Sequence, residues 1–329
     1  MKDQYGRDID YLRISLTDRC NLRCKYCMPD GICQTAHSEI LTYEEILTVC
    51  QAALQLGISH FKVTGGEPFV RKNAISFLRD LKELAPSCTV TLTTNGTLLK
   101  PYIKELRELG IDGINISLDA AQEERFFAIT GSHAFASVLE SIQLCAACGI
   151  RTKINAVLLP GNEDQLLPLA RLAEEMPVDV RLIELMPIGE GAALSVFSPD
   201  KARKILLQKY PDLSPVPAEE RRGYGPAHYE QSEKLLGRIG WIDAISHQFC
   251  TSCNRIRLTS TGLLKPCLCY GNGVDLRAIL RKKNPGNPNL IWDELLLALS
   301  DGIFQKPRAH CFQEHDAITE HRKMAEIGG

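Results

Sequence analysis

Two groups of cysteines stand at spacings that hold metal. The first is Cys20-x3-Cys24-x2-Cys27; the second is Cys250-x2-Cys253-x13-Cys267, with Cys269 two residues further on. A structural zinc ion takes four ligands in a closed tetrahedron, and each triplet is one short. An iron–sulfur cluster held by three thiolates keeps one iron open to a small molecule, so the missing ligand becomes a binding site. Cys33 offers a fourth ligand to the first set. Cys269 offers one to the second, where all four would make a zinc ribbon, although Cys-x-Cys is tight for one tetrahedral ion. Cys145-x2-Cys148 sits at helical spacing beside a glycine stop and reads as buried small hydrophobes. Cys50, Cys88 and Cys311 have no partners in spacing.

Composition supports a metal role. Thirteen cysteines among 329 residues is an odd count, ill suited to a full disulfide framework. The start, MKDQYGRDIDYLR, lacks the apolar core of a signal peptide, and no apolar run is long enough to span a bilayer. A cytoplasmic chain with reduced thiols is expected. Lys and Arg number 38 against 40 Asp and Glu, a net charge of −2. That balance argues against a dedicated nucleic-acid binder.

The elements that must position these cysteines alternate regularly over the first 190 residues. Strands are expected at 10–17, 60–64, 89–94, 113–118, 151–158 and 179–185. Helical patterns fill the gaps at 74–84, 102–109, 135–148 and 165–176. Another begins with the capping box Thr42-x-x-Glu45 and stops at Gly57; Gly110 and Gly149 are further stops. Six βα units in a row predict an α/β fold with a parallel sheet closed or partly closed into a barrel, with a doubly wound open sheet as the rival. The first triplet follows the first strand, the end of a barrel where active sites gather.

The strands alternate apolar with polar: Leu12, Ile14 and Leu16 against Arg13, Ser15 and Thr17; Phe61 and Val63 against Lys62 and Thr64. Val90 and Leu92 oppose Thr91 and Thr93, Ile114 and Ile116 oppose Asn115 and Ser117, and Ile154 and Ala156 oppose Lys153 and Asn155. Parallel strands buried on both faces read as continuous apolar runs. One polar face with an arginine and two lysines predicts a wide or incomplete barrel with a wet lumen and an anionic ligand. From 187 to 227 the pattern loosens around a helix at 197–210, and the tail from 235 to 329 reads as a separate cysteine-bearing unit. The division is drawn at 1–190 and 191–329.

Tyr26 before the last cysteine of the first set, Gly65-Gly66-Glu67-Pro68 after the second strand, and Ser117-Leu118-Asp119 closing the fourth resemble the radical S-adenosylmethionine enzymes. With a second triplet on the same chain, the resemblance narrows. CNLRCKYCMPD, KVTGGEPFVR, TLTTNGTLL, NISLDA, KINAVLLPG, IELMPIGEG, FCTSCNRIRLTSTGLLKPCL and the terminal IGG are similar to the GTP 3′,8-cyclase family over essentially the whole chain.

The resemblance implies an incomplete (βα)6 TIM-like radical SAM barrel with a C-terminal cluster-binding extension. It implies two [4Fe-4S] clusters, one on Cys20, Cys24 and Cys27 that binds S-adenosyl-L-methionine, the other on Cys250, Cys253 and Cys267 that meets the guanine of GTP. Tyr26, Gly66, Ser117 and Met186 would contact S-adenosylmethionine. Arg13, Lys62, Thr93, Lys153, Arg255, Ile256 and Arg257 would contact GTP, and the Gly328-Gly329 tail would reach the site. The family usually has arginine where this chain has Lys62, which keeps the charge and loses the planar fork.

The implied chemistry is radical cyclisation of GTP at the first step of molybdenum cofactor biosynthesis. A 5′-deoxyadenosyl radical takes the ribose 3′ hydrogen and the carbon radical attacks C8, so no acid/base side chain is required. The implied partners are a flavodoxin- or ferredoxin-type electron donor and, for product hand-off, cyclic pyranopterin monophosphate synthase. A homodimer is compatible; nucleic acid and membrane are not expected. The alternatives are another radical SAM enzyme with an auxiliary cluster, such as a peptide-modifying maturase, and a zinc-stabilised binding protein.

Overall fold

A computed structural model of the chain describes residues 1–31, 35–220, 223–282 and 288–328. The strands are β1 (Tyr11–Ser15), β2 (His60–Thr64), β3 (Thr89–Thr94), β4 (Gly113–Ser117), β5 (Thr152–Leu158), β6 (Asp179–Glu184), β7 (Ser214–Pro215), β8 (His228–Gln231), β9 (Ile239–Ile242), β10 (Arg255–Leu258), β11 (Leu263–Lys265) and β12 (Val274–Asp275). The α-helices are α1 (Tyr43–Gln55), α2 (Ala74–Leu84), α3 (Ile103–Glu108), α4 (Glu123–Thr130), α5 (Phe135–Ala147), α6 (Leu166–Glu175), α7 (Pro199–Lys209), α8 (Leu276–Leu280) and α9 (Pro288–Phe304).

Local rules account for the helix ends. Thr42 Oγ accepts from Glu45 N–H while Glu45 accepts from Thr42 N–H, closing the expected capping box. Gly57, Gly110 and Gly149 stop their helices with φ of 88°, 67° and 69°, a region costly for any residue with a Cβ. The helix expected from 197 starts at Pro199, because Ser198 takes the cap and proline suits the first helical position. Helix α4 was not anticipated; its pattern is only two turns long, and Gly131 ends it.

The chain forms two compact units, Met1–Asn21 with Gly31–Thr91 and Cys250–Gly329, and Leu22–Asp30 with Leu92–Phe249. In the first, β1 pairs in parallel with both β2 and β10, and β11 and β12 continue antiparallel. In the second, β4, β5, β6 and β9 are parallel neighbours in that order, and β8 and β7 continue antiparallel. The tail from residue 235 onward is shared between the two units, 235–249 falling in the second and the rest in the first. Its β9 adds to β6 and its β10 to β1, covering edges that would otherwise present unpaired N–H and C=O groups.

The predicted alternation governs which side chains are buried. Leu12, Ile14, Phe61, Val63, Ile256 and Leu258 make one face of the first unit's sheet and are at most 1 % exposed. Each such aliphatic or aromatic side chain contributes roughly 1.5–3 kcal/mol. Ile114, Ile116, Ile154, Ala156, Val180 and Leu182, at most 2 % exposed, make the corresponding face in the second unit. The opposite faces hold the polar residues.

Candidate active site

In the first unit the loop after β1 carries Cys20, half-buried. It is laced to the Gly65–Gly66–Glu67 turn by main chain alone: Gly66 N–H donates to Thr17 O at 2.7 Å and Glu67 N–H to Arg19 O at 2.8 Å. A Cβ on Gly66 would stand 2.5 Å from Arg19 O, and one on Gly65 2.8 Å from Thr17 O. Here the glycines let two stretches of backbone meet, which fixes the loop that carries Cys20. Glu67, fully buried, caps the next turn by accepting from Phe69 N–H at 3.1 Å.

In the second unit, Cys24 O accepts from both Cys27 N–H at 3.0 Å and Met28 N–H at 2.9 Å, a turn that sets the two cysteines together. Arg23 and Lys25 N–H donate to Thr130 O and Ile129 O at the end of α4, which holds the turn on a helix. Tyr26 donates its phenol proton to Asp119 Oδ2 at 2.8 Å, and Asp119 Oδ1 accepts from Val157 N–H at 2.8 Å. Burial raises the Tyr26 phenol well above its ordinary range, helped by the negative charge of Asp119 and the two thiols. Burial also pushes Asp119 up to about 6. Ser117 ends β4 and Met186 follows β6, both half-buried.

The second cysteine set lies wholly in the first unit. Cys250 and Cys253 flank one 3-10 turn, Cys253 N–H donating to Cys250 O at 3.3 Å. Arg7, buried and paired with Asp3 at 2.6 Å, donates to Cys250 O at 2.7 Å. Lys306, 3 % exposed, donates to Arg255 O at 2.8 Å and Pro266 O at 2.6 Å, so one ammonium bridges the main chain beside Cys253 and Cys267. Burial alone would raise the Cys253 thiol, but the charges of Arg255 and Lys306 bring it down to about 6, a thiolate at neutral pH. Burial keeps Cys267 raised. Cys269 is fully buried and its sulfur accepts from Cys311 N–H at 3.2 Å, turned to a different neighbour.

Among the described residues no three His, Cys, Asp or Glu side chains close into a metal-holding group. The second set fits an iron–sulfur cluster by its donor chemistry: three half-buried thiols, one ionised, with two cations against them. Cys33 and Gly329 lie outside the described residues.

Register brings the predicted cations of the first unit onto one rung. Arg257 pairs with Arg13 across β10 and β1, and Arg13 pairs with Lys62 across β1 and β2. Arg257 is pushed down to about 9, first by burial and then by Arg13 and Arg255. Like charges crowded this way are relieved by a bound anion. Ile256, between the two arginines of β10, turns its fully buried side chain to the opposite face, leaving only its main chain toward the cations. The tail ends beside this rung: Arg257 donates to Gly328 O at 3.3 Å, and Gly328 (φ 71°) leaves no room for a Cβ, which would be 2.9 Å from Ser15 Cβ.

The second unit's polar face is more tightly bonded. Lys153 Nζ donates to Tyr229 OH at 2.7 Å and lies 3.8 Å from Asp179. Arg181 donates to Asn155 Oδ1 at 2.9 Å and to Asn115 Oδ1 at 2.6 Å, and Asn115 in turn donates to Thr93 Oγ1 at 3.3 Å. Sequence reasoning did not select Arg7, Asp119, Arg181, Tyr229 or Lys306 as site residues. Arg181 continues the polar alternation one strand further and was findable that way; Arg7 and Lys306 reach the second cysteine set across forty or more residues and carry no local signal of it.

Residues 14–173 match the Radical SAM superfamily and residues 178–312 match Molybdenum Cofactor Synthesis C. The chain is 40% identical over 331 residues to a GTP 3′,8-cyclase of Clostridium perfringens, covering 100% of both chains. It is 38% identical over 333 residues to one of Moorella thermoacetica, again covering 100% of both. Among solved structures, Streptococcus suis SuiB bound to S-adenosylmethionine superposes with a TM-score of 0.64 at 14% identity, covering 97% of this chain and 78% of that one. SuiB bound to its precursor peptide SuiA gives 0.63 at 13%, covering 98% and 77%. At such identities the likeness concerns the fold, and it places the chain in the α/β, incomplete (βα)6 class expected.

Proposed function

The chain belongs to the GTP 3′,8-cyclase family of the radical S-adenosylmethionine superfamily, and from that premise we propose that its two cysteine triplets, its cation rung and its terminal glycines serve one reaction on GTP. The chain is an enzyme that converts GTP to (8S)-3′,8-cyclo-7,8-dihydroguanosine 5′-triphosphate, the first step of molybdenum cofactor biosynthesis. Its cofactors are two [4Fe-4S] clusters and S-adenosylmethionine. When bound, they supply an electron to the sulfonium and a 5′-deoxyadenosyl radical for hydrogen abstraction.

The chain's own residues hold and orient. Cys20, Cys24 and Cys27 would hold one cluster, and Cys250, Cys253 and Cys267 the other. Tyr26, Gly66, Ser117 and Met186 would contact S-adenosylmethionine, Gly66 through its main chain. The observation that carries the substrate reading is the rung Arg257–Arg13–Lys62, three cations abreast that a triphosphate would neutralise. Arg255, Thr93 and Lys153 would add contacts, and Ile256 a main-chain one. No side chain is assigned as general acid or base, in keeping with hydrogen-atom chemistry. The Gly328–Gly329 end would reach the site.

Among the described residues no helix is long and apolar enough to cross a membrane. A cytoplasmic enzyme reduced by a flavodoxin- or ferredoxin-type donor, passing product to cyclic pyranopterin monophosphate synthase and able to form a homodimer, completes the reading. So does a division into 1–190, carrying the first cluster, and 191–329, carrying the second. The test is anaerobic reconstitution followed by S-adenosylmethionine, reductant and GTP. About eight irons per chain and a cyclised guanosine product are expected. Formation of 5′-deoxyadenosine at the same rate without GTP, with no cyclised product, would overturn the substrate assignment.

A further inference from the structure

We propose that Glu320 is the anchor that docks the C-terminal tail onto the loop carrying Cys267, and that this docking sets Gly328 beside Arg257. Its carboxylate is at the meeting point of three segments. From β11, Lys265 donates to Oε2 as a fully buried ion pair. From the tail itself, Arg322 donates through Nε to Oε1 at 2.9 Å, through Nη2 to Oε2 at 2.9 Å and through its main-chain N–H to Oε1 at 2.9 Å. The loop after Cys267 joins through the same cations, Lys265 donating to Tyr270 O and Arg322 Nη2 to Gly271 O at 3.0 Å.

The main chains are also in contact. Glu320 N–H donates to Cys269 O at 3.2 Å, and Gly271 N–H to Thr319 Oγ1 at 3.0 Å. A Cβ on Gly271 would stand 2.4 Å from Thr319 O, so the tail lies directly on loop backbone there. From that point the chain buries Ala325 and Ile327 and reaches Gly328, whose carbonyl accepts from Arg257. Lys265 and Arg257 are cross-strand partners on β11 and β10. The tail is thus held at Glu320 and at Gly328, both referred to one strand pair, with Lys323 Nζ donating to Gly31 O at 3.1 Å between them.

A buried ion pair adds little stability over apolar side chains of the same size, and its best-attested use is to specify one arrangement among several. Burying apolar residues alone would leave the tail free to slide. A carboxylate satisfied by two cations at fixed angles admits one register. Glu320 and Arg322 are positioning residues: they act through Gly328 and touch no reacting atom.

The anchor rests on these contacts, and only its consequence for turnover rests on the cyclase reading. The variants are Glu320→Gln and Arg322→Ala. The second keeps the buried Lys265–Glu320 pair and removes only the partly exposed Arg322, so it is the milder of the two. In the reconstituted holoenzyme, hydrogen exchange of the amides of residues 324–328 is expected to rise about tenfold or more, with β1 and β2 unchanged. Turnover should fall by a similar factor, and deleting Gly328–Gly329 in the Arg322→Ala background should cause no further loss, because both changes act on one step. Unchanged tail exchange in both variants would overturn the anchor. Faster exchange with full turnover, in a chain whose Gly328–Gly329 deletion is also fully active, would uphold the anchor and overturn the tail's part in the reaction.

Discussion

Lys306 Nζ donates to the carbonyl of Arg255 at 2.8 Å, placing a buried ammonium under the main chain that follows Cys253. A second bond to Pro266 O at 2.6 Å does the same for the residue before Cys267. The main chain beside Cys253 and Cys267, two cysteines with thirteen residues between them, is thereby tied to one charge. If the second triplet holds a cluster, as proposed, this lysine fixes the backbone on which two of its three cysteines stand.

Lys306→Met should therefore release the second cluster while leaving the first. Iron should fall from about eight to about four per chain, and iron analysis with electron paramagnetic resonance of the reduced protein checks it. Full iron retention would show that the ammonium is dispensable. Without Lys306, the Cys253 thiol should also rise from about 6 toward its ordinary value.

Gly66→Ala tests the backbone contact behind Cys20. The new Cβ would meet Arg19 O at 2.5 Å, which only main-chain movement can relieve. The expected cost is about 1–3 kcal/mol, read by denaturant unfolding, together with loss of the first cluster's iron. An alanine variant as stable and as iron-loaded as the parent would refute the steric account.

Asp119 should make stability depend on pH in a particular direction. Its carboxyl is raised from 3.8 to about 6, chiefly by burial, so between those values the folded state holds the proton more tightly than the unfolded one. The unfolding free energy then falls as pH rises through that window, by at most about 3 kcal/mol. Asp119→Asn should be more stable than the parent at pH 7, with the difference vanishing below pH 4. Thermal melts across that range decide it; a difference that does not change with pH would be contrary to it.

The cation rung predicts opposite effects for two substitutions. Arg13→Ala removes the central charge of Arg257–Arg13–Lys62 and should raise KM for GTP about tenfold or more, with a weaker dependence on salt. Lys62→Arg restores a planar fork and should lower KM by a few-fold. Steady-state kinetics at two salt concentrations measures both. Equal KM for all three proteins would remove the triphosphate from this rung.

The cysteine spacings were legible because residues on one turn must be close in sequence: Cys27 N–H bonds the Cys24 carbonyl, and Cys253 N–H closes the 3-10 turn begun at Cys250. The cation rung was half legible. Alternation put Arg13 and Lys62 on a polar face, but period two says nothing about which residues of different strands stand level. Arg7 was not legible at all, since it reaches Cys250 across 243 residues.

What the sequence by itself determined is therefore whatever depends on short separations: the ligand spacing, the capping box at Thr42, the glycine stops and the two-faced strands. Tertiary structure alone decided that Lys306 bridges the carbonyls of Arg255 and Pro266, that Cys269 turns to Cys311, and that the tail adds β9 and β10 to sheets begun far upstream. The physical reason is that burial, charge and open sheet edges act through space. A buried ammonium or an unpaired strand edge is satisfied by whichever segment the fold brings within about 3 Å, however distant in the chain.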